Sequence, residues 1–344
     1  MTDLNYRAEI LFLYDIQNAN PNGDPNDENK PRIDEETGRN IVTDVRLKRT
    51  IRDYLKANKN EPIFVDEVIY NEEGHIQDAK LRAKDFVKIV GDEGKEDEDL
   101  IKKFLSGEKI SRKKIEVIKS SIRNNVTKDA IDVRLFGATI PLSFTKNEII
   151  ENKEVKSAVT FTGPVQFKMG KSLHSVKMQH IKGTGAFASK SGATQKTFRE
   201  EYILPYSLIA FSGVINENAA EYTNLRKKDI VLLKDAIWNG TKGLISRSKF
   251  GQMPRLLLII NYNLPNFFIG DLDNLIELNT ELRDEEIRKP EDYKIEIGAL
   301  LERIEINKDK IDNIEFISDE RMSYLKKGSV YDPKEFDKFT EITL

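Results

Sequence analysis

An asparagine-rich loop near the N-terminus holds the first side chains whose spacing could do chemistry. Asn18, Asn20, Asn22 and Gly23 match the opening positions of an EF-hand calcium loop. The match then fails, because the first position is Asn instead of Asp, the twelfth is Asn29 instead of Glu, and a predicted strand precedes the loop. Two other interpretations stay open: a series of turns, or a loop whose amides hold a phosphate backbone.

Groups that could catalyse a reaction are sparse. The chain has no cysteine and only three histidines, which excludes thiolate sites and disfavours a multi-histidine zinc site. Ser172 and His174 lie close together, but no Gly-x-Ser-x-Gly elbow is present. Asp24 or Asp44 could hold magnesium, so a Mg-dependent RNA endonuclease is the alternative function. Because 58 residues are acidic, such a pair carries little information, and we expect no catalytic residue, metal or cofactor.

The glycine-rich run from Gly183 to Gly192 is not a Walker motif, because Thr184 and Ser189 stand where that motif requires glycine. It is either a mobile basic loop with apolar wedges against single-stranded bases or an ordinary hairpin whose aromatic residue folds onto the core. The candidate wedges are Met178, Ile181, Phe187 and Phe198.

The charge distribution is uneven, although the net charge is only −3. Val155–Arg199 and Ala236–Gly270 contain no Asp or Glu, whereas Asp271–Glu320 is rich in acids. A polyanion that touches the basic segments would explain this division. The alternative is that acid-free runs arise by chance or from buried strands.

A helix predicted from Thr43 to about Lys56 carries further cations. Arg46 falls in its first turn, where a cation opposes the helix dipole. Such a broken rule often marks function, but a solvated face neutralised by Asp44 and Asp53 is an equally good interpretation of this segment.

The order of predicted elements indicates an α+β fold, a sheet with large insertions related to the ferredoxin-like plan. No apolar run is long enough for a membrane span and no signal peptide is evident, so we expect a cytoplasmic protein. A second helix is predicted from Thr223 to Asn239, and the segment from Asp271 onward is predicted to be mostly helical. The predicted strands are Glu9–Ile16, Phe64–Tyr70, Ala130–Phe136, Ala158–Phe167, Tyr202–Ile215 and Arg255–Tyr262.

Several stretches together resemble the backbone subunit of CRISPR Cascade complexes of the type I-B and I-C branch. The resemblance spans roughly residues 4–265, in order. The matching motifs are Leu13-Tyr-Asp-Ile-Gln-Asn-Ala-Asn-Pro-Asn-Gly-Asp-Pro, Pro31-Arg-Ile-Asp, Val42-Thr-Asp-Val-Arg-Leu-Lys-Arg, Asp132-Val-Arg-Leu-Phe-Gly-Ala, Thr162-Gly-Pro-Val-Gln-Phe, Ala210-Phe-Ser-Gly-Val, Asn216-Glu-Asn-Ala-Ala, Trp238-Asn-Gly-Thr-Lys and Arg247-Ser-Lys-Phe-Gly-Gln.

This resemblance implies a subunit that coats the guide (cr)RNA and performs no catalysis. Copies would polymerise along the spacer RNA, meet other Cascade subunits, and present the guide for pairing with target DNA. The implied fold is a modified RRM or ferredoxin-like palm, from residues 1–70 plus 128–270, with a protruding thumb hairpin at about residues 170–200. Residues 71–127 would form an inserted helical region, and residues 271–344 an acidic C-terminal helical segment packing on the palm.

The expected RNA contacts follow from the resemblance and the basic segments together. The aromatic signature of RRM sheets is missing, which favours phosphate contacts over base stacking on the sheet. The candidates are Asn20, Asn22, Arg46, Lys48, Arg49, Arg134, Gln166, Lys168, Lys171, Ser172, His174, Lys190, Arg247 and Lys249.

Overall fold

The computed structural model describes residues 7–88, 97–188, 196–335 and 338–344. The chain divides into two compact units. Leu55–Val165 and Asn216–Val231 belong to the first, termed the small unit. The second, termed the large unit, contains residues 7–54, Gln166–Ile215 and Leu232–Leu344.

The helices and strands alternate irregularly along the chain. The α-helices are α1 (Asp44–Lys59), α2 (Ala79–Lys84), α3 (Glu98–Ser106), α4 (Arg112–Asp129), α5 (Ile131–Phe136), α6 (Glu217–Thr223), α7 (Lys227–Lys242) and α8 (Gly298–Ile306). The strands are β1 (Ala8–Ala19), β2 (Gly23–Asp24), β3 (Lys30–Pro31), β4 (Arg39–Val42), β5 (Gly137–Pro141), β6 (Ala158–Thr162), β7 (Val165–Phe167), β8 (Gly170–Ser175), β9 (Gln179–Ala188), β10 (Lys196–Ile215), β11 (Met253–Tyr262), β12 (Glu277–Asn279), β13 (Lys294–Glu296), β14 (Ile311–Ser318), β15 (Tyr324–Lys326), β16 (Ser329–Tyr331) and β17 (Phe339–Glu341).

The large unit is built on a sheet with the strand order β17-β14-β11-β1-β10-β8-β4. β1 pairs antiparallel with both β10 and β11, so that Phe12 lies opposite Phe211 on one side and Leu257 on the other. Most of β1 is buried, as its nearly continuous apolar run predicts for a central strand. The α+β class expected from the sequence is confirmed.

β10 is a long strand whose two parts pair with different strands. Its first part, residues 196–203, pairs with β9, and residues 204–215 pair with β1. The β9–β10 hairpin therefore continues the direction of β10 past the end of its pairing with β1.

The two faces of the large sheet are covered differently. Leu11 and Leu13 of β1 belong to a buried cluster that includes α8 and much of the C-terminal segment. On the opposite face the ring of Tyr14 stacks between those of Phe12 and Phe211, with centroids 5.7 and 6.2 Å apart. Each such side chain contributes roughly 1.5–3 kcal/mol through burial.

α1 begins where the sequence predicts. The Thr43 hydroxyl accepts a hydrogen bond from the backbone N–H of Arg46 at 3.3 Å and caps the helix. Leu47 and Ile51 are buried along its apolar stripe. The cap and this stripe fix the direction in which the cations of the first two turns project.

The small unit has its own core around α4 and the β5–β6 hairpin. Ile118 and Ile122 of α4 are fully buried within it. The Asp132 carboxylate accepts the backbone N–H groups of Phe64 at 2.8 Å and Val65 at 3.0 Å, which holds the chain that follows α1.

Some predicted elements were wrong. Residues 131–136 form helix α5 instead of a strand, because a short apolar run buried on every side has no readable period. Phe64–Tyr70 contains only an isolated bridge at Ile69, and Thr223 ends α6 instead of starting the next helix. From residue 271 onward, α8 is the α-helix of the described residues and the rest forms short strands and 3-10 turns. Among the described residues, no helix is long and apolar enough to cross a membrane.

Candidate nucleic-acid interface

Two of the predicted contact residues, Ser172 and His174, form hydrogen bonds within the sheet instead. The Ser172 hydroxyl accepts the Asn40 N–H at 2.9 Å and donates to the His174 carbonyl at 2.6 Å. His174 is buried, its Nδ1 lies 2.8 Å from the Ser175 carbonyl, and its Nε2 accepts the Leu208 N–H at 3.2 Å. Burial lowers the pKa of His174, so the ring is neutral and committed to backbone contacts. We therefore withdraw both residues as RNA contacts.

Arg134 requires the same correction. Its guanidinium donates to both oxygens of Asp229, at 2.8 and 3.0 Å, and to the Lys128 carbonyl at 3.0 Å. Only 3% of the Arg134 side chain is exposed. A buried, two-pronged ion pair of this kind is a structural element of the small unit and leaves the side chain out of reach of RNA.

The asparagine loop also has structural tasks. The Asn22 side-chain oxygen accepts the N–H and the hydroxyl of Thr43, at 2.8 and 2.9 Å, and so supports the cap of α1. Asp24 pairs with Arg32 at 2.6 Å. In the described ranges no three His, Asp or Glu side chains are grouped so that they could hold a metal ion. For Asn22 the structural interpretation of the loop is therefore the better one.

Two cations of α1, Lys48 and Arg49, have carboxylate partners within the large unit. Lys48 donates to Asp44 and to the exposed Gln166, each at 2.9 Å. Arg49 donates to Asp53 at 2.7 Å. These pairs are the solvated, neutralised face that was the alternative interpretation of this helix.

Arg46 and Lys249 are partly buried cations of the large unit whose hydrogen bonds go to uncharged groups. In the part of the chain that the structure describes, neither forms an ion pair with a carboxylate. Arg46 Nη2 donates to Thr50 Oγ1 at 2.9 Å, while its buried Nε has no hydrogen-bond partner among the described residues. Lys249 Nζ donates to the Asn20 carbonyl at 2.5 Å. We call Asn20, Arg46 and Lys249 the Arg46–Lys249 site.

The loop after β1 and the turn after α7 build this site together. The Asn20 N–H donates to the Ser248 carbonyl at 2.9 Å, next to the lysine that binds the Asn20 carbonyl. The Asn20 amide nitrogen donates to the Asn29 carbonyl at 2.7 Å, whereas its side-chain oxygen is buried without a partner in the described residues.

Both cations of the site are partly desolvated. Burial, and to a lesser degree the nearby Arg46 charge, lowers the pKa of Lys249 to about 8. Burial also lowers the pKa of Arg46, although the Asp53 carboxylate, which is paired with Arg49, opposes this change. Two partly desolvated cations that form no ion pair would be stabilised by an added anion, and a phosphodiester group has the required charge and acceptors.

The remaining candidates are dispersed. Lys168 forms ion pairs with Asp271 and with Asp273, and although burial opposes the change, these acids raise its pKa. Lys171, on β8, is exposed and forms no ion pair within the described ranges. Arg247 pairs with Glu201 at 3.0 Å, and Lys190 lies outside the described residues.

Comparison with known proteins shows which family the chain is similar to. A family model described as "CRISPR-associated protein Cas7" matches residues 6–298. A protein of that same description from Haloferax volcanii is 33% identical over 334 residues, which cover 94% of this chain and 89% of its own length.

The chain belongs to the Cas7 family. It is also similar to two solved structures. One, described as a CRISPR RNA-guided surveillance complex, is 12% identical, with a TM-score of 0.48 over 91% of this chain and 89% of the other. The second, described as such a complex before nicking, is 13% identical, with a TM-score of 0.44 over 76% and 80%.

Sequence reasoning missed two apolar neighbours of the site in this Cas7-family chain. Val45, next to Arg46, is 67% exposed, and Phe250, next to Lys249, is 65% exposed. An aromatic ring in an acid-free segment beside two lysine or arginine positions was a signal that could have identified Phe250. Exposed apolar groups beside unpaired cations are the combination that single-strand binders use against bases and backbone.

Proposed function

We propose that this chain is the non-catalytic backbone subunit of a type I CRISPR surveillance complex, of the I-B or I-C branch, and that it coats the guide RNA. The match of the Cas7 family model over residues 6–298 carries the proposal. The Arg46–Lys249 site supports it independently, because two cations without carboxylate partners suit a phosphate backbone and read no base sequence.

The strand order supports an RRM-like palm. β1, β8, β10 and β11 stand in the spatial order β11-β1-β10-β8, with α1 after β1 and α7 between β10 and β11. This is the 4-1-3-2 order of a ferredoxin-like βαββαβ unit. We assign residues 1–70 plus 128–270 to the palm, residues 71–127 to the inserted region and residues 271–344 to the covering C-terminal segment. The β9–β10 hairpin is the proposed thumb.

The C-terminal segment determines where RNA can lie on this palm. It covers the sheet face that carries Leu11 and Leu13, which is buried in the cluster with α8. Bases therefore cannot stack on that face as they do on an open RRM sheet. The surfaces that remain for RNA to contact are the loop after β1, the start of α1 and the exposed Lys171 on β8.

The proposal includes partners and location. Further copies of the chain, other complex subunits and, through the guide, target DNA are the expected partners, in the cytoplasm. The alternative of a Mg-dependent endonuclease has less support, because Asp24 pairs with Arg32 and Asp44 with Lys48. Nothing in the described geometry brings these two carboxylates together on a metal.

Electrophoretic mobility shift with RNA of increasing length tests the proposal. We expect discrete steps, one per bound copy, that do not depend on base sequence and weaken steeply with salt. The same labelled RNA, incubated with protein and Mg²⁺, should stay intact. Cleavage that disappears in Asp24→Ala or Asp44→Ala would establish the endonuclease instead, and an absence of any RNA binding would refute the coating function.

A further inference from the structure

We propose that Asn20 recognises the ribose 2′-hydroxyl of the strand bound at the Arg46–Lys249 site, so that this site distinguishes RNA from DNA. The inference rests on the proposed function and deepens it. It names the sugar, and not only the phosphate, as a group that the subunit reads.

The unpartnered oxygen of Asn20 is the observation behind it. Asn20 is buried, and its side-chain oxygen has no hydrogen-bond partner among the described residues. The orientation of the amide is settled by its nitrogen, which donates to the Asn29 carbonyl at 2.7 Å. Turning the amide over would place two oxygens against each other, so the free group is an acceptor and not a donor. Buried acceptors without partners are rare because they lower stability.

The missing partner must therefore be a donor. A phosphodiester has acceptors only, and so has the backbone of DNA, whose sugar lacks a 2′-hydroxyl. The ribose 2′-hydroxyl is a donor, and it is the group by which a protein tells RNA from DNA.

The position of Asn20 links sugar recognition to phosphate binding. Its carbonyl accepts Lys249 Nζ at 2.5 Å, so the backbone of the same residue touches one of the two unpaired cations. A sugar lies directly next to each phosphate along a strand. Asn18, two residues earlier at the end of β1, is exposed, so a ligand can approach this end of the strand.

Binding of two protein variants to two nucleic acids tests the proposal. The full chain and Asn20→Ala are titrated with an RNA oligonucleotide and with the same sequence carrying 2′-deoxyribose throughout. We expect the wild-type chain to prefer RNA by roughly five-fold per bound copy, the effect of one net hydrogen bond. Asn20→Ala should lose this preference and bind both strands with the affinity that the wild-type chain has for the deoxy strand.

A control variant and a modified RNA make the result decisive. Asn18→Gly alters an exposed asparagine at the end of β1, two residues from Asn20. Glycine readily adopts its φ of 48°, so this variant should keep the RNA preference. If Asn20→Ala fails to fold, 2′-O-methyl RNA on the wild-type chain removes the donor instead, and affinity should fall to the deoxy level. An unchanged preference in Asn20→Ala, as expected if a buried water fills the role, or 2′-O-methyl RNA that binds as tightly as RNA, would overturn the inference. A wild-type chain that binds neither strand would instead refute the proposed function.

Discussion

Lys249 stands close enough to Arg46 for the arginine charge to lower its pKa, and in the described chain neither residue has a carboxylate partner. Lys168, which pairs with two acids in the same unit, shows the opposite pKa shift. Repulsion between two partly buried cations weakens the RNA-free fold. A bound phosphate would relieve that repulsion, so the arrangement that lowers the stability of the RNA-free fold strengthens RNA binding.

Replacing Lys249 by methionine separates stability from binding. The unfolded lysine has a pKa near 10.5 and the folded one near 8, so the fold disfavours the charged form. We expect Lys249→Met to raise the free energy of unfolding at pH 7 by roughly 1–2 kcal/mol, allowing for partial exposure. The same variant should bind RNA several-fold more weakly. Urea denaturation and mobility shift measure the two effects, and a variant that loses both stability and affinity would contradict this account.

The pH dependence gives a second test of the same lysine. Between pH 8 and 10.5 the unfolded chain holds a proton that the folded chain has released, so stability due to Lys249 rises with pH in this window. RNA affinity changes in the opposite direction, because the charged lysine that binds phosphate disappears as pH rises above about 8. Titrations at pH 7, 8 and 9 should show this loss in the wild-type chain, and Lys249→Met should show a smaller one.

Parts of this site could be predicted from the sequence, and parts could not. Arg46 was predicted because its residue type violates the dipole rule at a readable helix start. The partner of Arg134, Asp229, lies 95 residues away, and no local pattern indicates that these two side chains meet. The same holds for Asn20, whose motif position was clear but whose free acceptor depends on the distant Asn29 carbonyl and on the turn at Ser248.

The salt dependence of RNA binding distinguishes two neighbouring lysines that were both predicted to contact RNA. Lys171 is exposed without an ion pair among the described residues, whereas Lys168 is held by Asp271 and Asp273. We expect Lys171→Ala to lower the log–log salt slope of RNA binding by about one, the value for one lost phosphate contact. Lys168→Ala should change the slope less, because its charge is already partly neutralised. Equal changes in both variants would show that RNA displaces the two aspartates.

The buried pair of Arg134 and Asp229 predicts a loss of stability without a specific loss of RNA contact. Arg134→Ala leaves the Asp229 carboxylate buried and unpaired, and should lower the free energy of unfolding by about 3–5 kcal/mol. The double variant Arg134→Met, Asp229→Leu should recover much of this, because it removes both charges. Denaturation curves check the stabilities. A folded double variant that binds RNA more weakly than the wild-type chain would indicate that Arg134 contacts RNA.

Gly170 tests how closely the sheet behind Lys171 is packed. A Cβ at this position would lie 2.4 Å from the Phe211 ring, which is itself held between Tyr14 and Phe167. We expect Gly170→Ala to lower the free energy of unfolding by about 1–3 kcal/mol through overpacking, since the ring is fully buried and must shift to make room. Gly183→Ala is the matched control, because no atom of the described residues lies within 4 Å of its added Cβ, and it should be nearly neutral. Thermal unfolding of both variants decides the point: equal stability would mean that Phe211 repacks freely, and the sheet would then be too loose to fix Lys171 against a phosphate.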